Sequence, residues 1–242
     1  MLELNKVYNI DCLEGFKQLD NESIDLICTD PPYQVTSRGG SGNMGGYWKS
    51  DIAKSGKIFE NNSIYIQDYA KELYRVLKDK SILYIMTNNV NLIEMLNELS
   101  NVGFNFVKSL IWEKNNKICG RYYMGCYEYI LLFRKGGDKP INEPSTPDIL
   151  NIPINKLKDD SGNNLHDTEK PIELMEVLIR NSSNPNDVVL DPFSGIGSTL
   201  IASKNLGRKY IGFEIDKKYY DIIEARLNET QIKKEVQSVD LW

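Results

Sequence analysis

Short apolar runs alternate with amphipathic stretches along the whole chain, and this alternation limits the fold more than any other feature. Ile24–Thr29 and residues 188–190 are mainly apolar runs too short for buried helices, so they predict buried strands. Residues 67–78 and 217–227 instead carry apolar side chains at helical spacing. Strands that alternate with helices favour an α/β fold with a mostly parallel sheet and helices on both faces.

The other segments follow the same two patterns. Strands are predicted at residues 6–10, 81–86 and 210–213, and helices at residues 13–19, at 91–99, from Pro171 onward and at Ser198–Asn205. Two β runs, at residues 104–112 and 127–133, follow each other without a helical pattern between them. We therefore predict one antiparallel pair of strands within the sheet.

The composition is that of one globular domain. The chain has 242 residues, 41% of them hydrophobic and 26% charged, so we expect a single domain over residues 1–242. No apolar run approaches the roughly 20 residues that cross a bilayer. The first residues lack a signal-peptide pattern, so a cytoplasmic location without membrane contact is expected. The four cysteines form no Cys-x-x-Cys pair, and no metal site is predicted.

Two stretches depart from the alternation. Residues 34–62 contain a glycine-rich run at 38–46, and residues 136–164 contain four prolines and little periodicity. Long loops in a compact domain are usually functional or disordered. We predict a loop insert at about 34–62, in which residues 38–46 are expected to order over substrate as a lid. At about 136–164 we predict a short target-recognition insert, with a plain surface connector as the alternative.

Asp30-Pro31-Pro32-Tyr33 directly follows the predicted strand Ile24–Thr29. Ligands of open parallel sheets bind at the carboxyl ends of strands. The prolines stiffen the turn, so that the Asp30 carboxylate and the Pro31 carbonyl can point the same way and accept both hydrogens of an amino group. Tyr33 offers a ring on which a base can stack. The alternative is a proline-rich turn with a helix-capping aspartate and a core tyrosine.

A second strand-turn-helix unit carries glycines where a ligand can approach the backbone. It runs from Val188 through Asp191-Pro192-Phe193-Ser194-Gly195-Ile196-Gly197 to Ser198-Thr199, where a helix begins. Its turn lacks the third glycine of the dinucleotide fingerprint. Glu214 follows the next strand, 17 residues beyond Gly197, where an acidic residue can bind ribose hydroxyls. A generic turn with an exposed glutamate is the alternative.

These two elements, in this order, resemble those of the β group of amino-methylating DNA methyltransferases, over nearly the whole chain. Lys170-Pro171 resembles the Lys-Pro element of the family, and Asn9-Ile10-Asp11-Cys12 its Gly-Asp-Cys segment, with Ile10 where glycine is usual. The resemblance implies a Rossmann-like methyltransferase fold with S-adenosylmethionine as cofactor. It also implies methyl transfer to an adenine N6 that is flipped out of double-stranded DNA, because N4-cytosine members usually carry serine at the position of Asp30.

The resemblance also assigns residues to roles. Catalysis would fall to Asp30, Pro31, Pro32 and Tyr33. Cofactor contacts would come from Asp11, Cys12, Asp30, His166, Thr168, Lys170, Asp191, Pro192, Phe193, Ser194, Gly195, Gly197, Ser198, Thr199 and Glu214. A general-base role for His166 is disfavoured, since direct transfer to an amino group needs no base.

The distribution of charge suggests where DNA could bind. The chain has a net charge of -5, yet residues 108–140 hold seven basic and three acidic side chains. Candidate DNA contacts are Arg38, Lys114, Lys117, Arg121 and Tyr122, which mix cations with an aromatic ring. A solvated surface with chance clustering is the alternative. A homodimer and a cognate restriction endonuclease are further expected partners.

Other activities remain open at the level of sequence. An N4-cytosine DNA methyltransferase would use nearly identical chemistry. A methyltransferase for an RNA or protein amide is disfavoured, because relatives that modify protein glutamine carry asparagine at the position of Asp30. A non-catalytic cofactor-binding subunit should have lost Asp30 or Tyr33, and both are present.

Overall fold

A computed structural model describes residues 2–32, 64–118, 123–154 and 169–239. Within these ranges eight strands form one sheet. They are β1 (Lys6–Tyr8), β2 (Ile24–Thr29), β3 (Leu77–Thr87), β4 (Asn105–Ile118), β5 (Gly125–Arg134), β6 (Ile149–Asn151), β7 (Val188–Asp191) and β8 (Lys209–Phe213). The order across the sheet is β1-β8-β7-β2-β3-β5-β4-β6.

One strand of the sheet runs against the others. β5 pairs antiparallel with both β3 and β4, whereas every other neighbouring pair is parallel. The predicted antiparallel pair is therefore confirmed. Because β5 is reversed, its first residues lie at the same edge of the sheet as the carboxyl ends of the parallel strands.

Helices cover both faces of the sheet, as predicted. The described helices are α1 (Cys12–Phe16), α2 (Ile66–Val76), α3 (Leu92–Asn101), α4 (Ile172–Ser182), α5 (Ser198–Asn205) and α6 (Lys217–Val239). The first three pack on one face, where Phe16, Leu73 and Leu99 are fully buried. α4 packs on the other face through Leu174 and Leu178. α5 and α6 close that layer near β1 and β8.

β6 is an element that the sequence pattern did not predict. It lies within residues 136–164, which we predicted as an irregular insert, and its three residues pair with β4 at the edge of the sheet. Ile152 and Ile154 then pack against the core that α4 covers. The described part of this segment, residues 136–154, is therefore partly built into the sheet. Its role in target recognition stays a prediction.

The lengths of several elements also differ from the sequence-based prediction. β3 begins at Leu77 rather than at Ser81, and β4 continues six residues beyond Trp112. Leu77 pairs with Ile24 of β2, and the extension of β4 pairs with β5, because a polar residue can continue a strand when its neighbour supplies the hydrogen bonds. Among the described helices, none is long and apolar enough to span a membrane.

Candidate active site

The carboxyl ends of β2 and β7 lie side by side. The two strands are parallel neighbours with Leu26 opposite Val189 and Ile27 opposite Leu190. Beyond this register, the Thr29 hydroxyl donates a hydrogen bond of 2.7 Å to Oδ1 of Asp191. Asp30 therefore begins its turn directly beside the turn that Asp191 begins, although 160 residues separate the two elements in sequence.

The turn after β7 is held by its own polar groups. Oδ1 of Asp191 also accepts from the Phe193 amide at 3.2 Å, and the Ser194 hydroxyl donates to the Asp191 carbonyl at 2.9 Å. Gly197 has a φ of +86°, and a Cβ built on it would lie 2.9 Å from Cγ2 of Ile223. The backbone there leaves no room for a side chain. α5 then begins at Ser198, with its first amide groups at this edge.

The acidic end of β8 supports the same turn. Oε2 of Glu214 accepts a hydrogen bond of 2.7 Å from the Gly195 amide, and Oε1 accepts one of 2.9 Å from the Asp216 amide. Burial raises the pKa of Glu214 to about 7, with these two bonds opposing the shift. Burial likewise raises the pKa of Asp191 to about 6, against the hydrogen bonds from Thr199 and Thr29.

The amino-terminal segment reaches this turn from the far side. Asn9 donates from its amide nitrogen to the carbonyls of Glu214 at 2.8 Å and Ile215 at 3.1 Å. Asp11 caps α1 by accepting from the Leu13 amide at 2.8 Å. Cys12 is buried, and burial raises the pKa of its thiol to about 12. The predicted cofactor residues Asp11 and Cys12 thus lie beside the end of β8.

Asp30 enters a buried cluster of charged side chains. Oδ2 of Asp30 pairs with the ammonium of Lys170, which also lies 3.3 Å from Oε2 of Glu128, and Oε1 of Glu128 pairs with Lys114. We call these four residues the charge cluster. Oδ1 of Asp30 is shielded from solvent and has no hydrogen-bond partner among the described residues. A donor that reached it would relieve a cost of about 1–3 kcal/mol.

The charges of the cluster shift the pKa values of its members. Burial raises the pKa of Asp30, while Lys170 opposes that rise. Burial alone would also raise the pKa of Glu128, yet Lys170 and Lys114 together hold it below its usual value. Burial would lower the pKa of Lys170, but Asp30 and Glu128 outweigh burial and raise it. The cluster holds two acidic and two basic side chains, so its formal charge with every group ionised is zero.

The position of Lys114 does not fit the predicted role as a DNA contact. Its side chain is only 9% exposed and pairs with Glu128 inside the cluster. A phosphate contact would need the ammonium at the surface. Lys117, three residues further along β4, is exposed as that role requires.

Most of the other predicted cofactor residues lie around the two turns. Pro192, Ser194, Ser198 and Thr199 are buried, and Phe193 is half-buried with its ring 5.0 Å from that of Tyr69. Pro31 is buried and Pro32 half-buried. The remaining predicted site residues lie outside the described residues. They are Tyr33, Arg38, Arg121, Tyr122, His166 and Thr168.

Sequence reasoning missed Glu128 and a second buried pair, Arg226 with Glu169. Arg226, on α6, donates to the Ile196 carbonyl within the glycine turn, and it lies 3.2 Å from Oε1 of Glu169. It thereby connects the turn to the residue that precedes Lys170. Glu128 stands between two tyrosines and Arg226 between an alanine and a leucine, which names no partner, and Glu169 stands among other charged or polar residues, so the sequence gives no signal for their pairing.

If Glu214 binds the cofactor as predicted, its raised pKa will make cofactor affinity depend on pH. If its carboxylate binds ribose hydroxyls, the ionised form is favoured, so the dissociation constant should rise about tenfold between pH 8 and pH 6. The stability of the cofactor-free protein depends on pH in the opposite direction. The protonated Glu214 carboxyl stabilises the fold at low pH, and this stabilisation is lost as pH rises through about 7. Titration calorimetry with S-adenosylmethionine should show the dependence, and Glu214→Gln should remove it. If the dissociation constant changed with pH equally in the wild-type protein and in Glu214→Gln, this role of Glu214 would be contradicted.

Known proteins with this fold and sequence pattern are methyltransferases. The family model described as DNA methylase matches residues 24–225. Type II methyltransferase M.HinfI of Haemophilus influenzae is 32% identical, over 98% of this chain and 72% of its own. The crystal structure of the M1.HpyAVI–SAM complex superposes with a TM-score of 0.67 at 26% identity, over 91% of this chain and 98% of that one.

A further structure shows the fold alone. PvuII DNA methyltransferase, described as cytosine-N4-specific, gives a TM-score of 0.71 at 18% identity, over 95% of this chain and 92% of that one. The predicted Rossmann-like fold of S-adenosylmethionine-dependent methyltransferases is thus confirmed. More narrowly, the chain belongs to the DNA methylase family that methylates amino groups at N6 of adenine or N4 of cytosine.

Proposed function

We propose that this protein, as a single domain, methylates N6 of an adenine that is flipped out of double-stranded DNA. The observation that carries this proposal is the placement of Asp30 at the strand end next to the Asp191–Gly197 turn, with Oδ1 lacking a partner among the described residues. A nucleophile held by Asp30 would lie at the edge of the sheet where the cofactor binds.

The residues at the second turn fit S-adenosylmethionine as the methyl donor. Gly197 lets this turn pack closely against α6, because a Cβ there would meet Ile223. Glu214, which is buried at the end of β8, suits the ribose hydroxyls, and Asp11 with Cys12 lies beside it. When bound, S-adenosylmethionine supplies an electrophilic methyl group on a sulfonium sulfur. These residues hold and orient the donor.

In the proposed reaction Asp30 acts on the amino group of the base. The nitrogen lone pair of adenine N6 is delocalised into the ring, so the amino group is a poor nucleophile. Accepting one N–H at Oδ1 of Asp30 and the other at the Pro31 carbonyl favours a pyramidal nitrogen whose lone pair faces the methyl group. As the N–C bond forms and the S–C bond breaks, positive charge develops on nitrogen and the Asp30 carboxylate stabilises it. The nitrogen then releases one proton to solvent, and the former sulfonium sulfur is left as a neutral thioether.

Adenine is preferred over cytosine because of the residue at position 30. Members of the family that methylate cytosine N4 usually carry serine there, whereas this chain carries aspartate. Both bases present an amino group beside a ring-nitrogen acceptor, so the described residues of the pocket favour neither base by hydrogen bonding alone.

DNA contacts are proposed for the exposed cation Lys117 and for Arg38, Arg121 and Tyr122, which lie outside the described residues. Lys114 is left out, because it is buried in the charge cluster. A homodimer and a cognate restriction endonuclease remain predictions for the assembly.

Labelled cofactor tests the proposal directly. The protein is incubated with methyl-labelled S-adenosylmethionine and DNA of mixed sequence, and the DNA is digested to nucleosides and separated. Label in N6-methyldeoxyadenosine is the expected result. Label in N4-methyldeoxycytidine would identify cytosine instead of adenine as the target base, and DNA that carries no label would refute the proposal.

A further inference from the structure

The charge cluster connects the proposed catalytic carboxylate to strands on the far side of the sheet. Its signs alternate from Asp30 through Lys170 and Glu128 to Lys114. The four side chains come from the residue after β2, from the residues before α4, from β5 and from β4, so tertiary folding alone brings them together. Buried ions persist only when they are paired in this way, because each carries a large desolvation cost.

Glu128 competes with Asp30 for the ammonium of Lys170. The ammonium pairs with Oδ2 of Asp30 and lies 3.3 Å from Oε2 of Glu128, which pulls it toward β5. Oδ1 of Asp30 stays without a partner among the described residues. Without the Glu128 carboxylate the ammonium would move toward the only remaining anion of the cluster and bridge both oxygens of Asp30. It would then cover the atom that is proposed to accept the amino hydrogen.

The charge of Glu128 matters as well as its position. A carboxylate that is neutralised by one ammonium attracts a second cation less strongly, since the two fields largely cancel. The developing positive charge on the target nitrogen is such a second cation. Glu128 offsets part of the Lys170 charge, and Lys114, which balances Glu128 in turn, lies furthest along the cluster from Asp30.

We propose that Glu128 is a positioning residue for methyl transfer, which holds Lys170 off Oδ1 of Asp30 and reduces the extent to which Lys170 cancels the field of the Asp30 carboxylate at the target nitrogen. This inference rests on the proposed function of Asp30. Glu128 contacts no part of the substrate in this arrangement and acts only through Lys170. Its place at the start of the reversed strand β5 explains how it reaches the carboxyl edge of the sheet.

The test compares Glu128→Gln with Glu113→Gln. Glu113 is the neighbouring acidic residue on β4 and hydrogen-bonds Asn151 rather than the cluster, so its replacement changes the net charge equally. Single-turnover methylation of DNA should slow about 10- to 100-fold in Glu128→Gln. The dissociation constant of S-adenosylmethionine should change much less than this rate. Glu113→Gln should match the wild-type protein in both.

The pH dependence of the single-turnover rate separates positioning from general damage to packing. Among the described residues, the charged groups that interact electrostatically with Asp30 are Lys170, Glu128, Lys114 and Asp191. Burial raises the pKa of Asp30, Lys170 lowers it and Glu128 raises it, so losing Glu128 should move the acid limb to lower pH. An unchanged rate in Glu128→Gln overturns the inference. A slower rate also overturns it if the acid limb of the pH–rate profile stays where it is in the wild-type protein.

A second variant keeps the inference testable if Glu128→Gln fails to fold. Glu128→Asp retains the negative charge on a side chain that is shorter by one methylene. We expect a slower rate and an acid limb at the wild-type pH. An unchanged rate overturns the inference. The failure of the proposed function gives a different result. In that case the wild-type protein itself would transfer no methyl group to a DNA amino nitrogen.

Discussion

Asp30→Asn is expected to slow methyl transfer about 100- to 1000-fold while S-adenosylmethionine binds nearly as before. Asparagine keeps the shape of the side chain, and its carbonyl oxygen can still accept from Lys170. Its amide nitrogen, however, replaces the unpartnered Oδ1 and presents hydrogens to the hydrogens of the target amino group. The negative charge that stabilises the reacting nitrogen is lost as well. Single-turnover kinetics and calorimetric titration of the cofactor measure the two effects.

Asp25→Asn is the matched control for that experiment. Asp25 lies at the opposite end of the same strand, where it pairs with Lys78 at 2.6 Å and accepts from the Val188 amide at 2.9 Å. Its replacement should lower the melting temperature and leave the rate constant of methyl transfer almost unchanged. If Asp30→Asn retained activity within about tenfold of wild type, the catalytic role of Asp30 would be refuted.

Gly197→Ala is expected to weaken cofactor binding more than tenfold and to destabilise the protein. The positive φ of +86° costs an alanine about 1–2 kcal/mol. The new methyl group would also lie 2.9 Å from Cγ2 of Ile223, so the turn or α6 must move. Because the Gly195 amide in this turn donates to Glu214, a shift of the turn disturbs the predicted ribose site. Chemical denaturation and cofactor titration measure the two losses.

Gly207→Ala separates the strain of the backbone from the loss of space. Gly207 has a φ of +73°, but a Cβ there would meet no atom within 4 Å. It precedes β8 at the opposite edge of the sheet from the Gly195–Gly197 turn. We expect a similar strain penalty with unchanged cofactor affinity. If Gly207→Ala weakened cofactor binding as much as Gly197→Ala, the effect would be one of global stability, and the close packing of the turn would not be its cause.

The elements around the site were predictable because local patterns determine them. Ile24–Thr29 and Ser198–Asn205 have the bounds that the apolar runs and the glycine turn predict. Proline after β2 and glycine before α5 act on the backbone wherever the rest of the chain lies. That Asp30 and the Asp191–Gly197 turn share one edge also followed from the sequence, since ligands of parallel sheets bind where strands end.

The order of strands and the ion pairs were not predictable from the sequence. β6 has three residues and no clear alternation, so only its pairing with β4 makes it a strand. Lys114 was predicted to bind DNA because its neighbours in sequence are basic and polar. In the fold its true neighbour is Glu128, from the adjacent strand β5. Which charged side chains meet inside a protein depends on the register between neighbouring strands, and the pattern of residues along one sequence does not specify that register.

The adjacency of β2 and β7 has a consequence for how such a chain could be rearranged. Their contact depends on lateral pairing within the sheet and is independent of which strand the ribosome makes first. A gene that encoded residues from α4 onward ahead of β1, with a suitable linker, would still place Thr29 against Asp191. For this architecture, the order of the two motifs along the chain is therefore not fixed by the fold, whereas the pairing of their strands within the sheet is a physical requirement.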